Sequence, residues 1–277
     1  MKFLSARRPL LALSLILCVT LSACFQLEQK ATVYNDGSGQ ILVVFGVKKE
    51  LVDRALEAGE AHPLAQILDP LRLDKNSEGV AAWTPPVESM VDDWVRVATT
   101  AYFRKIEEVK VFHETEGADG ETMREAALSF ERSRENGIHV VTVHNDLTKS
   151  FGKQLGLGAD ADSETEFDAE AWGAKLKGMN IQVSVTVPGE IELMEGFTSR
   201  RGRTATLKAN SRRVLDAAAT DGSEETLRKK KLLASAQAAR VGWRHDLVHF
   251  SRVDKFREEM NAAADEWKAL LQRLGKK

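Results

Sequence analysis

Residues 180–194 read NIQVSVTVPGEIELM, and in their first eight positions Ile181, Val183, Val185 and Val187 alternate strictly with Asn180, Gln182, Ser184 and Thr186. A period of two sends the apolar side chains to one face of a strand and the polar ones to the other. One dry face and one wet face is the pattern of an antiparallel sheet with a solvated side. Downstream, RGRTATLKAN (201–210) repeats the alternation through Ala205, Leu207 and Ala209, which predicts the hairpin partner of this strand.

Upstream the same period recurs. KATVYNDGSGQILVVFGV (30–47) predicts a hairpin turning at Asp36-Gly37, where glycine supplies the positive φ of a primed turn, with Ile41, Val43, Phe45 and Val47 as one buried face. KIEEVKVFHETE (105–116) and MREAALSFERS (123–133) flank the turn-rich EGADGE, which sets Val109 and Val111 opposite Leu128 and Phe130, and GIHVVTVHN (137–145) adds a further strand. Helical spacing marks Leu51, Val52, Ala55 and Leu56, then Leu64, Ile67, Leu68 and Leu71. Met90, Val91, Trp94 and Ala98 predict a third helix over 87–101, after a loop from Asp74 to Pro86. Residues 146–178, with an acidic stretch and a short helix around Ala169–Leu176, read as a mobile insertion.

Past Asp221-Gly222, with Ser223 as cap and Glu224 and Glu225 in the first turn, the chain reads as mostly helix. Near its end Val253, Phe256, Met260, Ala263, Trp267, Leu270 and Leu274 recur at alternating spacings of three and four. This stripe suits either a partner or a packing surface. Phe256 and Trp267 are poor knobs for a narrow two-stranded seam, which favours docking within the chain. The expected architecture is α+β: an antiparallel sheet built from hairpins with helices packed on one face and a helical C-terminal tail. The sheet domain spans residues 24–220 and the helical region 221–277.

The first residues carry an address. Lys2, Arg7 and Arg8 precede the apolar run Leu10–Leu21, and small residues Ser22 and Ala23 stand before Cys24. That is the layout of an export signal, 1–23, too short to span a bilayer and followed at once by polar Gln26, Glu28, Gln29 and Lys30. Leu21-Ser22-Ala23-Cys24 resembles the bacterial lipobox, which implies cleavage before Cys24 and a covalent diacylglycerol and N-acyl lipid on that residue. Each buried methylene contributes about 0.8 kcal/mol, so two or three acyl chains hold firmly. Phe25, where aspartate would favour inner-membrane retention, implies transfer to the outer membrane.

Without residues 1–23, which hold three of the 39 basic and none of the 41 acidic residues, the net charge is −5. That balance argues against a general nucleic-acid binder. Cys18 lies in the discarded segment, so no disulfide can form within one mature chain and the core must hold the fold.

Cys24, the turn Asp36–Gly39, the strand end Val185–Gly189 and the turn at Arg201-Gly202 together resemble bacterial lipoproteins carrying an LppM-type domain. The resemblance leaves the middle of the chain and the tail uncovered. It implies an envelope protein with a lipid-binding sheet and carries over no catalytic residues.

Other candidate chemistry is thin. Arg244-His245-Asp246-Leu247-Val248-His249 imitates the zincin HExxH, and two histidines four apart on a helix could share a zinc, with Glu258, Glu259 or Glu266 as third ligand. Asp is one methylene shorter than the Glu that must reach the metal-bound water, and a charged amphipathic helix accounts for the segment more simply. The acids of 160–166 lack the glycine and terminal glutamate of a calcium loop. Gly156-Leu157-Gly158 lacks the lysine of a phosphate cradle, and no GxSxG occurs. Arg200, Arg201, Arg203, Arg212 and Arg213 could meet an anionic leaflet, although turn charges are more often simply solvated. The expected function is a non-catalytic binding or structural role at the periplasmic face of the envelope, with the membrane as partner through the anchor, a lipid or protein as ligand and no other cofactor. The alternatives are a zinc-dependent hydrolase using His245 and His249, and an adaptor acting through the C-terminal helix.

Overall fold

The computed structural model describes residues 25–116, 122–145, 178–210, 238–244 and 250–275. Its strands form two sheets, and the fold is α+β with sheet predominant. The first sheet contains β1 (Phe25–Val33), β2 (Gly39–Lys48), β4 (Val80–Trp83), β5 (Val87–Val91), β6 (Trp94–Phe103), β10 (Asn180–Thr186), β12 (Ser199–Arg201) and β13 (Thr204–Asn210). The second contains β3 (Ser77–Glu78), β7 (Lys110–Glu116), β8 (Thr122–Glu135), β9 (Ile138–Asn145), β11 (Ile191–Glu195) and β14 (Ala239–Trp243). Helices are α1 (Lys49–Glu57), α2 (Ala65–Leu68), α3 (Pro70–Lys75) and α4 (Phe250–Leu274).

β10 pairs antiparallel with β13, Val183 opposite Leu207 and Val185 opposite Ala205, as its alternation predicts. Its other neighbour differs from the expected pattern: β10 runs parallel to β1, with Leu27 opposite Ile181 and Ala31 opposite Val185. Alternation reports which face is dry, and both ladder types preserve it. Ile181, Val183, Val185 and Val187 are buried in one core with Val141, Val143, Val241 and Trp243 of the second sheet. The dry face is thus closed by a sheet where helices were expected to supply the main cover. Each such side chain contributes on the order of 1.5–3 kcal/mol.

The β1–β2 hairpin turns through the five residues between Val33 and Gly39, wider than a two-residue primed turn. Gly37 takes φ +89°, and the Asp36 side chain accepts hydrogen bonds from the Ser38 amide (3.0 Å) and hydroxyl (2.6 Å). At Gly39 the constraint is space, since an added Cβ would lie 2.0 Å from the Thr32 carbonyl oxygen and 2.6 Å from the Phe103 ring. The second hairpin sets Val111 opposite Leu128 in β7–β8, and β9 follows where GIHVVTVHN predicts it.

Residues 87–101, expected as a helix, are the strands β5 and β6, turning at Asp92 with φ +52°. Helical spacing of four residues competed with a longer period-two run, Val95, Val97, Thr99, Ala101 and Phe103, all buried. β-branched and aromatic residues on a half-buried face decided the outcome. The expected helix near Leu64–Leu71 is broken into α2 and α3, because Pro70 cannot continue the first and Asp69 caps the second through Leu71 N. Within the expected loop 74–86 lie β3 and β4.

The region 221–277 is not wholly helical. Residues 239–243 form β14, where Ala239, Val241 and Trp243 are buried and the strand lies between β9 and β11, so the second sheet runs across residue 220. Residues 221–237 and the insertion up to residue 177 lie outside the described residues. α4 carries the stripe: Val253, Phe256, Met260 and Trp267 are buried, and Ala263, Leu270 and Leu274 are half-buried. Phe256 packs on Tyr34 and Tyr102, with ring centroids 4.5 and 5.9 Å apart.

Candidate functional site

Strand β1 sets the polarity of the first sheet. It begins at Phe25, which pairs with Val47; Val47 pairs with Val95, and Val95 with Met90. At this end Phe25 stacks on Phe45 (centroids 6.4 Å, planes at 21°), Arg96 donates to Gln26 Oε1 at 3.0 Å, and Lys48 Nζ lies 4.8 Å from the Trp94 ring centroid. α1 closes the inner face here, with Val52 packed in a small core with Val47, Leu64, Val95 and Val97. Cys24 itself lies outside the described residues. The peptide bond to Phe25 nevertheless places it within one residue of this end of a central strand.

The opposite end holds the Asp36–Gly39 turn. Asp36 Oδ2 accepts from Arg257 of α4 at 2.8 Å, and Arg132 of β8 donates to the Asn35 carbonyl at 2.9 Å, so the turn ties both sheets and the helix. Partial burial pushes the Asp36 carboxyl up, but the Ser38 hydrogen bonds and Arg257 outweigh it and hold it below its ordinary value. Nearby, burial and the charge of Glu259 push the Tyr102 hydroxyl up.

The register settles where the arginine hairpin sits. Thr32 pairs with Thr186, Thr186 with Thr204 and Thr204 with Arg201, so β12–β13 turns at the Asp36 end, roughly 25 Å along β1 from Phe25 at about 3.3 Å per residue. Arg203 donates to the Pro188 carbonyl at 2.7 Å and Arg200 contacts Glu190 at 3.3 Å. These arginines brace the turns, at the far end from the one Cys24 joins. Arg212 and Arg213 lie outside the described residues.

His245 and His249 also lie outside them, between β14 and α4. Glu258, Glu259 and Glu266 are exposed on α4. Among the described residues no group of three or more His, Cys, Asp or Glu is arranged to hold a metal ion, and no helix is long and apolar enough to cross a membrane.

One feature of the Phe25 end escapes the sequence reading. Val87 (63% exposed), Met90 (60%) and Val91 (42%) stand out on edge strand β5, and Leu56 is exposed on α1. Reading 87–101 as a helix hid them. The available signal was Val87-Glu-Ser-Met-Val91 bounded by Pro85-Pro86 and Asp92-Asp93, a short extended segment between two turn markers.

No protein-family model and no curated protein matches the chain. Among solved structures it is similar to the folded domain of LppM from Mycobacterium tuberculosis, solved by NMR, with 9% identity, a TM-score of 0.36 and coverage of 81% of this chain and 91% of that one. A variant of the M1 zinc metallopeptidase of Deinococcus radiodurans overlays with 12% identity, a TM-score of 0.18 and coverage of 69% and 40%. Both are loose likenesses, and no residue role is taken from either.

Proposed function

We propose that the protein is a bacterial envelope lipoprotein, anchored by a diacylglycerol and an N-acyl chain on Cys24 and facing the periplasm from the outer membrane, with a non-catalytic binding or structural role. The observation that carries this reading is the LSAC box at residues 21–24, behind a basic start and a short apolar run, joined directly to a residue, Phe25, that already lies in strand β1. Cleavage before Cys24 removes nothing from the described sheets. It leaves the lipid directly on the end of β1, between β2 and β10, with no linker to dilute the tether.

The ligand class this reading favours is an amphiphile or a protein segment of the envelope. Charge supports it, since a mature balance of −5 suits neither nucleic acid nor an anionic polymer. Val183, Val185 and Val187 are already sealed in the core, so a bound acyl chain would have to lie elsewhere than on that strip. Cys24→Ser tests the anchor. The wild-type N-terminal peptide is expected to begin at Cys24 with the mass of its acyl chains, and the variant to keep residues 1–23 and lose the lipid. An unmodified mature protein free in the periplasm would refute the anchor.

A further inference from the structure

We propose that the Phe25 end of the first sheet lies against the bilayer, with β5 and the exposed face of α1 seated in its interfacial layer through Val87, Met90, Val91 and Leu56. The proposal rests on the lipid anchor and adds an orientation to it. Two independent observations meet here. The chain that precedes the described fold joins it at Phe25, so acyl chains on Cys24 hold this end within a residue or two of the membrane surface. The large exposed apolar side chains of β5 stand at the same end, and α1 starts there, the Lys49 amide donating to the Asp93 carbonyl at 2.8 Å: Met90 reaches Phe25 through three ladder steps, which at about 4.8 Å per strand is roughly 14 Å.

An isolated exposed valine needs no explanation, but two valines and a methionine on one five-residue edge strand do, Val87 and Val91 on one of its faces and Met90 on the other. β5 pairs only with β6 among the described residues and is exposed along its whole length. Such an edge in water is an invitation to pair with other chains; laid on a bilayer it is covered.

Charge at this end argues for apolar seating over electrostatic attraction. Lys48 meets Asp93 at 3.6 Å, Arg54 meets Glu50 at 2.7 Å, Lys49 pairs with Asp53, and His62 lies 3.7 Å from Glu88. Asp92 sits at the turn itself. Among the described residues at this end basic and acidic groups largely offset one another, and they form no cationic patch to seek anionic lipid.

The test uses the full chain purified with its lipid and reconstituted in phosphatidylcholine vesicles, with one added cysteine carrying an environment-sensitive fluorophore, Met90→Cys near the membrane or Arg201→Cys at the far end. Position 90 should emit at shorter wavelength and be quenched several-fold more by brominated acyl chains than position 201, and high salt should not reverse this. Met90→Lys, a surface change that spares the core, should abolish quenching of a label placed at Val87→Cys while the protein still floats with the vesicles. Equal, weak quenching at 90 and 201 in a floating protein overturns the orientation and leaves the anchor standing. Loss of quenching in salt overturns apolar seating. Energy transfer between labels at 90 on separate molecules, without quenching by lipid, assigns β5 to a second copy and overturns the proposal. Protein that fails to float and lacks acyl chains overturns the anchor, and the orientation falls with it.

Discussion

Trp267 Nε1 donates a hydrogen bond to Asp74 Oδ1 across 3.0 Å, joining a buried indole near the end of α4 to α3, 193 residues earlier in the chain. Trp83 makes a parallel link, donating to Ser77 Oγ at 3.1 Å while that hydroxyl donates to the Leu73 carbonyl at 2.8 Å. Two tryptophans therefore hold one short connection against the sheet and the helix. Asp74→Ala should cost about 1.5–3 kcal/mol, the range for a hydrogen bond to a charged group. Trp267→Asp should cost more, since it places a carboxylate without a cation in the core. Thermal unfolding of the detergent-solubilised protein reads both. An unmoved midpoint for Trp267→Asp, together with a dimer that dissolves in light scattering, would make the stripe a partner surface.

The Asp36 turn should give the fold an acid-sensitive element. Its carboxyl is held below the ordinary value of 3.8, so the folded state prefers the charged form. The stabilisation is fully present above 3.8 and is lost as pH falls below it and through the lowered folded value. Asp36→Asn should remove that part of the pH dependence: the wild type is more stable near neutrality, and the two curves converge in acid. Parallel curves down to low pH would mean that Arg257 and Ser38 do not act on this group.

What could be read from the sequence follows from which signals had competitors. The strands around Ile181, Leu207, Ile41 and Val141 had alternation and no rival period, and each forms. Residues 87–103 held two periods at once, and local pattern could not weigh them because the deciding term was long-range: ten consecutive pairs from β2 to β6. β14 is too short, at five residues, to stand out between an arginine- and lysine-rich stretch and a helix, and its burial comes from β9 and β11. The parallel β1–β10 pair joins residues more than 150 apart and leaves no mark in either strand alone. At the anchor, sequence was the better guide, because a lipobox is read by a peptidase as local sequence. The apolar edge beside it depended on knowing the strand partners.

Two glycines separate steric need from backbone need. Gly39→Ala meets backbone at 2.0 Å with no flexible side chain to yield, in the pair that closes the β1–β2 hairpin, and should cost several kcal/mol or block accumulation of folded protein. Gly59, with φ +73° and nothing within 4 Å of an added Cβ, should cost only about 1 kcal/mol on change to Ala, from the left-handed conformation alone. Comparable unfolding midpoints for the two variants would contradict the packing at Gly39.

α4 begins at Phe250, the residue after His249, and rises about 1.5 Å per residue, so the Glu258 backbone lies roughly 12 Å along the axis from that point. Zinc requires its nitrogen and oxygen ligands at about 2.0–2.2 Å. Among the described residues Glu258, Glu259 and Glu266 stand exposed along α4 and belong to no group arranged to hold a metal ion. On the N-terminal side Arg244 is committed to Glu192 at 2.8 Å, which fixes the exit of β14. Protein purified without chelators should therefore carry well below one zinc per chain by elemental analysis, and His245→Ala should leave that content and the unfolding midpoint unchanged. Stoichiometric zinc that disappears in His245→Ala would place a metal centre between β14 and α4, supply its third ligand from elsewhere in the chain, and return the hydrolase reading to first rank.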